Sequence, residues 1–117
     1  MPPAEQVENS SLYFEKTSGY WFLFTNHIGV DKNGNEYTDA IWVYWSRNLD
    51  NWDVLHKAVV LDSANCSWAK GAIGMPSVIP VKGRLALLYD AAGGRSTAHM
   101  HRNIGLAWLK RPIEVPQ

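Results

Sequence analysis

Lys16-Thr17-Ser18-Gly19-Tyr20-Trp21-Phe22-Leu23-Phe24 carries a glycine turn into an unbroken run of wide side chains, and the plan returns at Lys82-Gly83-Arg84-Leu85-Ala86-Leu87-Leu88. Aromatic and branched side chains fit the pleated surface of a half-buried strand, so both runs read as strands entered from tight turns. Upstream, once two extra residues are allowed in the first turn, Ser11-Leu12-Tyr13-Phe14 falls on Ser77-Val78-Ile79-Pro80. Downstream, Ile41-Trp42-Val43-Tyr44-Trp45 falls on Ile104-Gly105-Leu106-Ala107-Trp108, at nearly the offset that separates the two glycines. Ala58-Val59-Val60-Leu61 adds a further strand. The chain reads as all-β with about seven strands, helical turns being confined to the neighbourhood of Trp68 to Ala72.

A four-stranded antiparallel unit repeated at fixed spacing is the plan of a β-propeller blade. Blade one is expected over about residues 7–62 and blade two over about 73–110. The second copy stops before its fourth strand, at Arg111-Pro112-Ile113-Glu114-Val115-Pro116, which reads as an extended tail. The competing reading is a seven-stranded sandwich whose self-similarity is accidental.

Composition narrows the function. The 117 residues carry 11 Lys+Arg against 11 Asp+Glu and are 46% hydrophobic, which fits one globular domain. A net charge of +0 gives no reach toward phosphate backbones or anionic lipid, so neither nucleic acid nor a membrane surface is an expected partner. There is no apolar run long enough for a spanning helix, and Met1-Pro2-Pro3-Ala4-Glu5 has no leader pattern, so a cytoplasmic location is expected. Cys66 is the only cysteine; it cannot form an internal disulfide and reads as a small buried hydrophobe. Six Trp, five Tyr and three Phe exceed what so small a core needs.

Tyr20 to Asn26, followed by Ser46-Arg47-Asn48-Leu49-Asp50-Asn51-Trp52, resembles the blade pattern of the five-bladed propeller glycosidases, glycoside hydrolase families 32 and 43 and their relatives. Gly74-Met75-Pro76-Ser77, then Leu85 to Asp90, resembles their next blade, so the likeness covers about two blades of five. The resemblance implies hydrolysis of glycosidic bonds in plant-type, furanoside or pentose carbohydrates by a carboxylate pair. It also implies a general-acid Glu in a Glu-x-Pro context, and Glu8 takes that place with Ser10 where the family has Pro. The family's blade-opening Asp is not recognisable in this chain.

If the blades share a face, the loops after the second strands and the connections between blades gather at one end. Glu8, Asn26, His27, Asp62, Asn65, Trp68, Asp90, His99 and His101 then lie there, and the Ser46 to Trp52 turn lies at the other. Asp90 is the candidate partner of Glu8 in catalysis, or else a strand-end residue capping the Ala91-Ala92-Gly93-Gly94 turn. Asn26, His27, Asp62, Trp68, His99 and His101 are candidates for substrate binding, with Trp68 either stacking on a sugar ring or covering a blade edge. His99-Met100-His101 has metal-ligand spacing, but solvated loop histidines are the commoner case, and neither a metal nor a cofactor is expected. The alternative to an enzyme is a carbohydrate-binding or structural assembly. Two blades do not close a ring, so three or five copies are expected to complete one by head-to-tail contacts.

Overall fold

The computed structural model describes residues 9–30, 32–34, 36–69, 71–94 and 102–110, together with Ile113 and Val115. Its seven strands are β1 (Ser11–Glu15), β2 (Tyr20–Val30), β3 (Glu36–Ser46), β4 (Lys57–Leu61), β5 (Ile73–Val81), β6 (Arg84–Ala92) and β7 (Arg102–Lys110). They pair antiparallel in sequence order, β1 to β4 in one sheet and β5 to β7 in a second. The all-β architecture and the two successive antiparallel units are those read from the sequence. Among the described residues the second unit has three strands where the repeat plan has four. Of the tail, Ile113 and Val115 pack against the core, and the Ile113 N–H donates to Glu15 Oε1 at 3.0 Å. Trp68 to Ala72 contains no helical turn among its described residues. Its backbone is engaged otherwise: Ala69 bridges Gly94 in parallel, and the Gly94 N–H donates to the Trp68 carbonyl at 2.9 Å.

The core forms where the faces of the two sheets meet. Alternation along each strand puts Tyr13, Phe22, Phe24, Ile41, Val43 and Trp45 on one face of the first sheet, in register as Tyr13↔Phe22↔Trp45 and Phe24↔Val43. The second sheet answers with Leu85, Leu87, Tyr89 and Ala91, and Val78 packs against the same cluster. Phe22 and Phe24 are each 1% exposed, burial worth about 1.5–3 kcal/mol apiece. Two hydrogen bonds fix how far one sheet can slide on the other. The Val78 N–H donates to Ser11 Oγ at 3.1 Å, and the Met75 N–H donates to Asn26 Oδ1 at 2.7 Å. The second bond needs a break in the β5–β6 ladder between Gly74 and Ser77, where Met75 takes φ 56°.

Tight turns close the opposite end. Lys82 (φ 44°) and Gly83 (φ 81°) form a two-residue connection between the paired residues Val81 and Arg84, with positive φ at both positions as a type I′ turn requires. Ser46 to Trp52 ties itself together: the Ser46 hydroxyl lies 2.8 Å from the Asn48 carbonyl and 2.7 Å from that of Asn51, and Trp52 Nε1–H donates to the Leu49 carbonyl at 2.7 Å. Among the described residues no helix is long and apolar enough to cross a membrane.

Candidate functional site

A bulge builds the most distinctive polar group. His27 pairs with Ala40 and Ile28 with Thr38, which leaves Asp39 as the extra residue on β3. An extra residue re-aims the side chains beside it. Asp39 Oδ1 thereby lies 2.7 Å from His27 Nδ1. When the imidazole is neutral, donation from Nδ1 to the carboxylate leaves Nε2 as the accepting nitrogen. The ring also stacks on Trp42, with centroids 4.7 Å apart and planes at 15°, so it is held by an acid on one atom and an indole along its face. These groups line a cleft of about 250 Å³ whose wall includes Tyr37, Val59 and Asp62. Asp62 stands just past β4, where its Oδ1 accepts the Ala64 N–H at 2.8 Å and its own N–H donates to Asn65 Oδ1 at 2.8 Å.

Two further polar residues lie at the same end of the strands, Asn26 where the sheets meet and Asp90 on the far face of the second sheet. Asn26 is buried, and its side-chain oxygen points across to β5. Gly74 sits against it: a Cβ there would fall 2.8 Å from Asn26 Oδ1 and 2.8 Å from Thr38 Oγ1. Gly74 pairs with Asp90 on β6, and Asp90 pairs with Ile104 on β7. Arg102 clamps Asp90, with Nε and Nη2 donating to Oδ1 at 3.0 and 2.7 Å and Nη2 also donating to the Asp90 carbonyl at 3.2 Å. Such a charge-assisted pair fixes the carboxylate in place, and its side chain keeps 31% exposure.

Trp68 turns inward. Its Nε1–H donates to the Tyr89 hydroxyl at 3.0 Å, the two rings stack with centroids 6.0 Å apart, and Cys66 Sγ lies 3.8 Å from the same hydroxyl. Burial pushes the Tyr89 phenol above its ordinary value, the Cys66 thiol adds to the rise, and the bond from Trp68 works against it. Cys66 is 3% exposed, the buried small hydrophobe its surroundings suggest. Glu15, on the core side of β1, is also buried. Burial alone would raise its carboxyl, but the N–H groups of Ile113 and Thr17 and the Tyr13 hydroxyl donate to it and hold it below its ordinary value.

Of the residues selected from the sequence, Asn26, His27, Asp62, Trp68 and Asp90 stand at or beside one end of the strands. His27 and Asp62 share a cleft, and Asn26 and Asp90 are linked through Gly74. Glu8, His99 and His101 lie outside the described residues. Among the described residues, no three His, Cys, Asp or Glu side chains are grouped to hold a metal ion. Sequence reasoning missed Asp39, Arg102 and Glu15. For Asp39 the usable signal is the length of the β2–β3 hairpin, whose two 11-residue strands leave room for a bulge near the turn. The opposite end has its own cleft of about 290 Å³, lined by Tyr20, Arg47, Asn51 and His56 among others.

No family model and no curated protein matches the chain. Among solved structures, one described as RS223-Beta-xylosidase is similar to it with a TM-score of 0.66 at 15% identity, the match covering 94% of this chain and 34% of that one. At this identity the likeness is one of fold, and the chain spans about a third of the xylosidase's length.

Proposed function

We propose that this end of the sheets holds carbohydrate and that the protein hydrolyses glycosidic bonds of furanoside or pentose type as part of a propeller of the glycosidase kind. The observation that carries the reading is the cleft of His27, Asp39, Trp42 and Asp62, at the strand end that also bears Asp90. A sugar offers one apolar ring face and a rim of hydroxyls. The aromatic wall of His27 and Trp42, whose indole also lies under the Lys57 ammonium at 5.3 Å, suits the first, and the carboxylate oxygens of Asp39 and Asp62 suit the second. The fold likeness to a β-xylosidase supports the same class of substrate.

Hydrolysis takes one protonated carboxyl group to assist the leaving oxygen and one ionised group, about 5 to 9.5 Å apart depending on stereochemistry. Glu8 is the proposed general acid, from its place in the repeat. Asp90, held by Arg102, is the proposed ionised partner. Asn26 and Trp68 enter as positioning residues, the first through β5 and the second through Tyr89. His99 and His101 remain candidates for contacts to substrate. The Arg102 clamp also favours a second reading, in which Asp90 is structural and the protein binds carbohydrate without cleaving it. Release of aryl alcohol from a panel of aryl pentosides and furanosides separates the two. Under the first reading the wild type turns over at least one, while Glu8→Gln and Asp90→Asn each lose 100-fold or more, roughly the scale of general acid–base assistance. Binding without turnover selects the second, and neither binding nor turnover removes both.

A further inference from the structure

We propose that the protein associates head to tail with a second copy of itself, the open face of its three-stranded sheet seating on the open face of the partner's four-stranded sheet.

The two sheets of one chain stack in the same sense, like two cards with the same side up. Tyr13, Phe22, Phe24, Ile41, Val43 and Trp45 bury one face of the first sheet against the second. Their counterparts in the repeat are Ile79, Ala86, Leu88, Ile104, Leu106 and Trp108. Every one is apolar, and all lie on the far face of the second sheet, in register as Ile79↔Ala86↔Trp108. Ile104 is 82% exposed and Leu106 51%. The converse also holds. Val78, Leu85 and Leu87 face the internal interface, while their counterparts Leu12, Trp21 and Leu23 lie on the far face of the first sheet, where Leu12 is 45% exposed. A cation lies at the same end of two counterpart faces: Arg47 over Tyr20 at 4.7 Å on the buried face of the first sheet, and Arg84 over Trp108 at 4.1 Å on the far face of the second. Each open face therefore repeats the chemistry of one side of an interface the chain already makes, and contiguous open apolar faces mark interaction surfaces.

The polar contacts repeat as well. Inside the chain, Asn26 Oδ1 takes the Met75 N–H and Ser11 Oγ takes the Val78 N–H. The counterparts of the two acceptors are Asp90, whose Oδ1 also takes the Arg102 N–H groups, and Ser77, both on the open face. The counterparts of the two donors are the N–H groups of Asn9 and Leu12. Asn9 even repeats the backbone of Met75, with φ 52° against 56°, unusual for residues other than glycine. A partner seated as the first sheet seats on the second would bring its Asn9 N–H to Asp90 and its Leu12 N–H to Ser77. A contact that joins two different faces is heterologous, and its head-to-tail repetition closes into a ring where the rotation allows it.

Sedimentation without substrate tests the association independently of any activity. Wild type is expected at a multiple of the 13.2 kDa of one chain. Leu106→Asp removes one face and Leu12→Asp the other, so each variant alone is expected at monomer mass. Mixed, they are expected to form a one-to-one dimer, because each keeps the face the other lost. A wild type at monomer mass overturns the proposal, and so does a mixture that does not associate, since an interface between two identical faces cannot be rescued this way. Should circular dichroism show either variant unfolded, Ile104→Asp and Phe14→Asp provide the same pair of lesions at open positions of the same two faces.

Discussion

A methyl group added at Gly74 would fall 2.8 Å from Asn26 Oδ1 and 2.8 Å from Thr38 Oγ1, both held between strands. Gly74→Ala must therefore push the sheets apart where Asn26 ties them. It is expected to destabilise by about 1–3 kcal/mol in urea unfolding, whereas a neutral effect would show that the contact is loose. Gly105 is fixed in the same way, because a Cβ there would land on the Tyr89 ring; Gly105→Ala is expected to displace Trp68 and change its fluorescence. Glu15 gives the pH prediction. Its folded-state carboxyl sits below the ordinary 4.5, so the stability it adds is complete above that value and is lost as pH falls through the lower folded-state one. Urea midpoints taken from about pH 6 to about pH 3 should fall less steeply for Glu15→Gln than for wild type, and parallel curves would remove Glu15 from the acid response. None of these three residues declares its role in the sequence. Glycine and glutamate are common at turns and surfaces, and only the register shows what stands opposite them.

The strands themselves were legible, because Tyr20 to Phe24, Ile41 to Trp45 and Leu85 to Tyr89 leave no other way to bury so many wide side chains in short runs. The Lys82-Gly83 turn was legible as a position but not as a geometry. Lys82 at φ 44° carries a strain that asparagine tolerates better, so Lys82→Asn is expected to raise the urea midpoint by the equivalent of about 0.5–1 kcal/mol. A fall would mean that the Lys82 side chain contributes something the backbone argument omits. Bulges were the illegible part. The slips at His27/Ile28 and Gly74/Ser77 decide which side chains meet, because a slip of one residue exchanges the faces beyond it, and no residue type in the sequence marks where the slip falls. For that reason His27 and Asp62 could be placed at one end from the sequence, while Asp39, the closest partner of His27, could not.

At the scale of the molecule, the repeat has more explanatory reach than any single residue. One buried interface, read once, accounts for the two open faces, for the paired acceptors Asn26 and Asp90, and for the matching backbones of Asn9 and Met75. The same stacking brings the ends of β2, β3, β5 and β6 into one neighbourhood, where the His27–Asp39 cleft and the Arg102–Asp90 clamp lie. The tight turns and the self-bonded Ser46 to Trp52 segment take the other end. Function on this account belongs to one end of the stack, and a titration followed by ¹⁵N NMR tests that most directly. With the aryl pentoside panel as ligand, the account expects shifts at the backbone amides of His27, Asp39 and Asp62 and at the Trp42 indole. Shifts confined to Tyr20, Arg47, Asn51 and His56 at the opposite cleft, or none at saturating ligand, would contradict it.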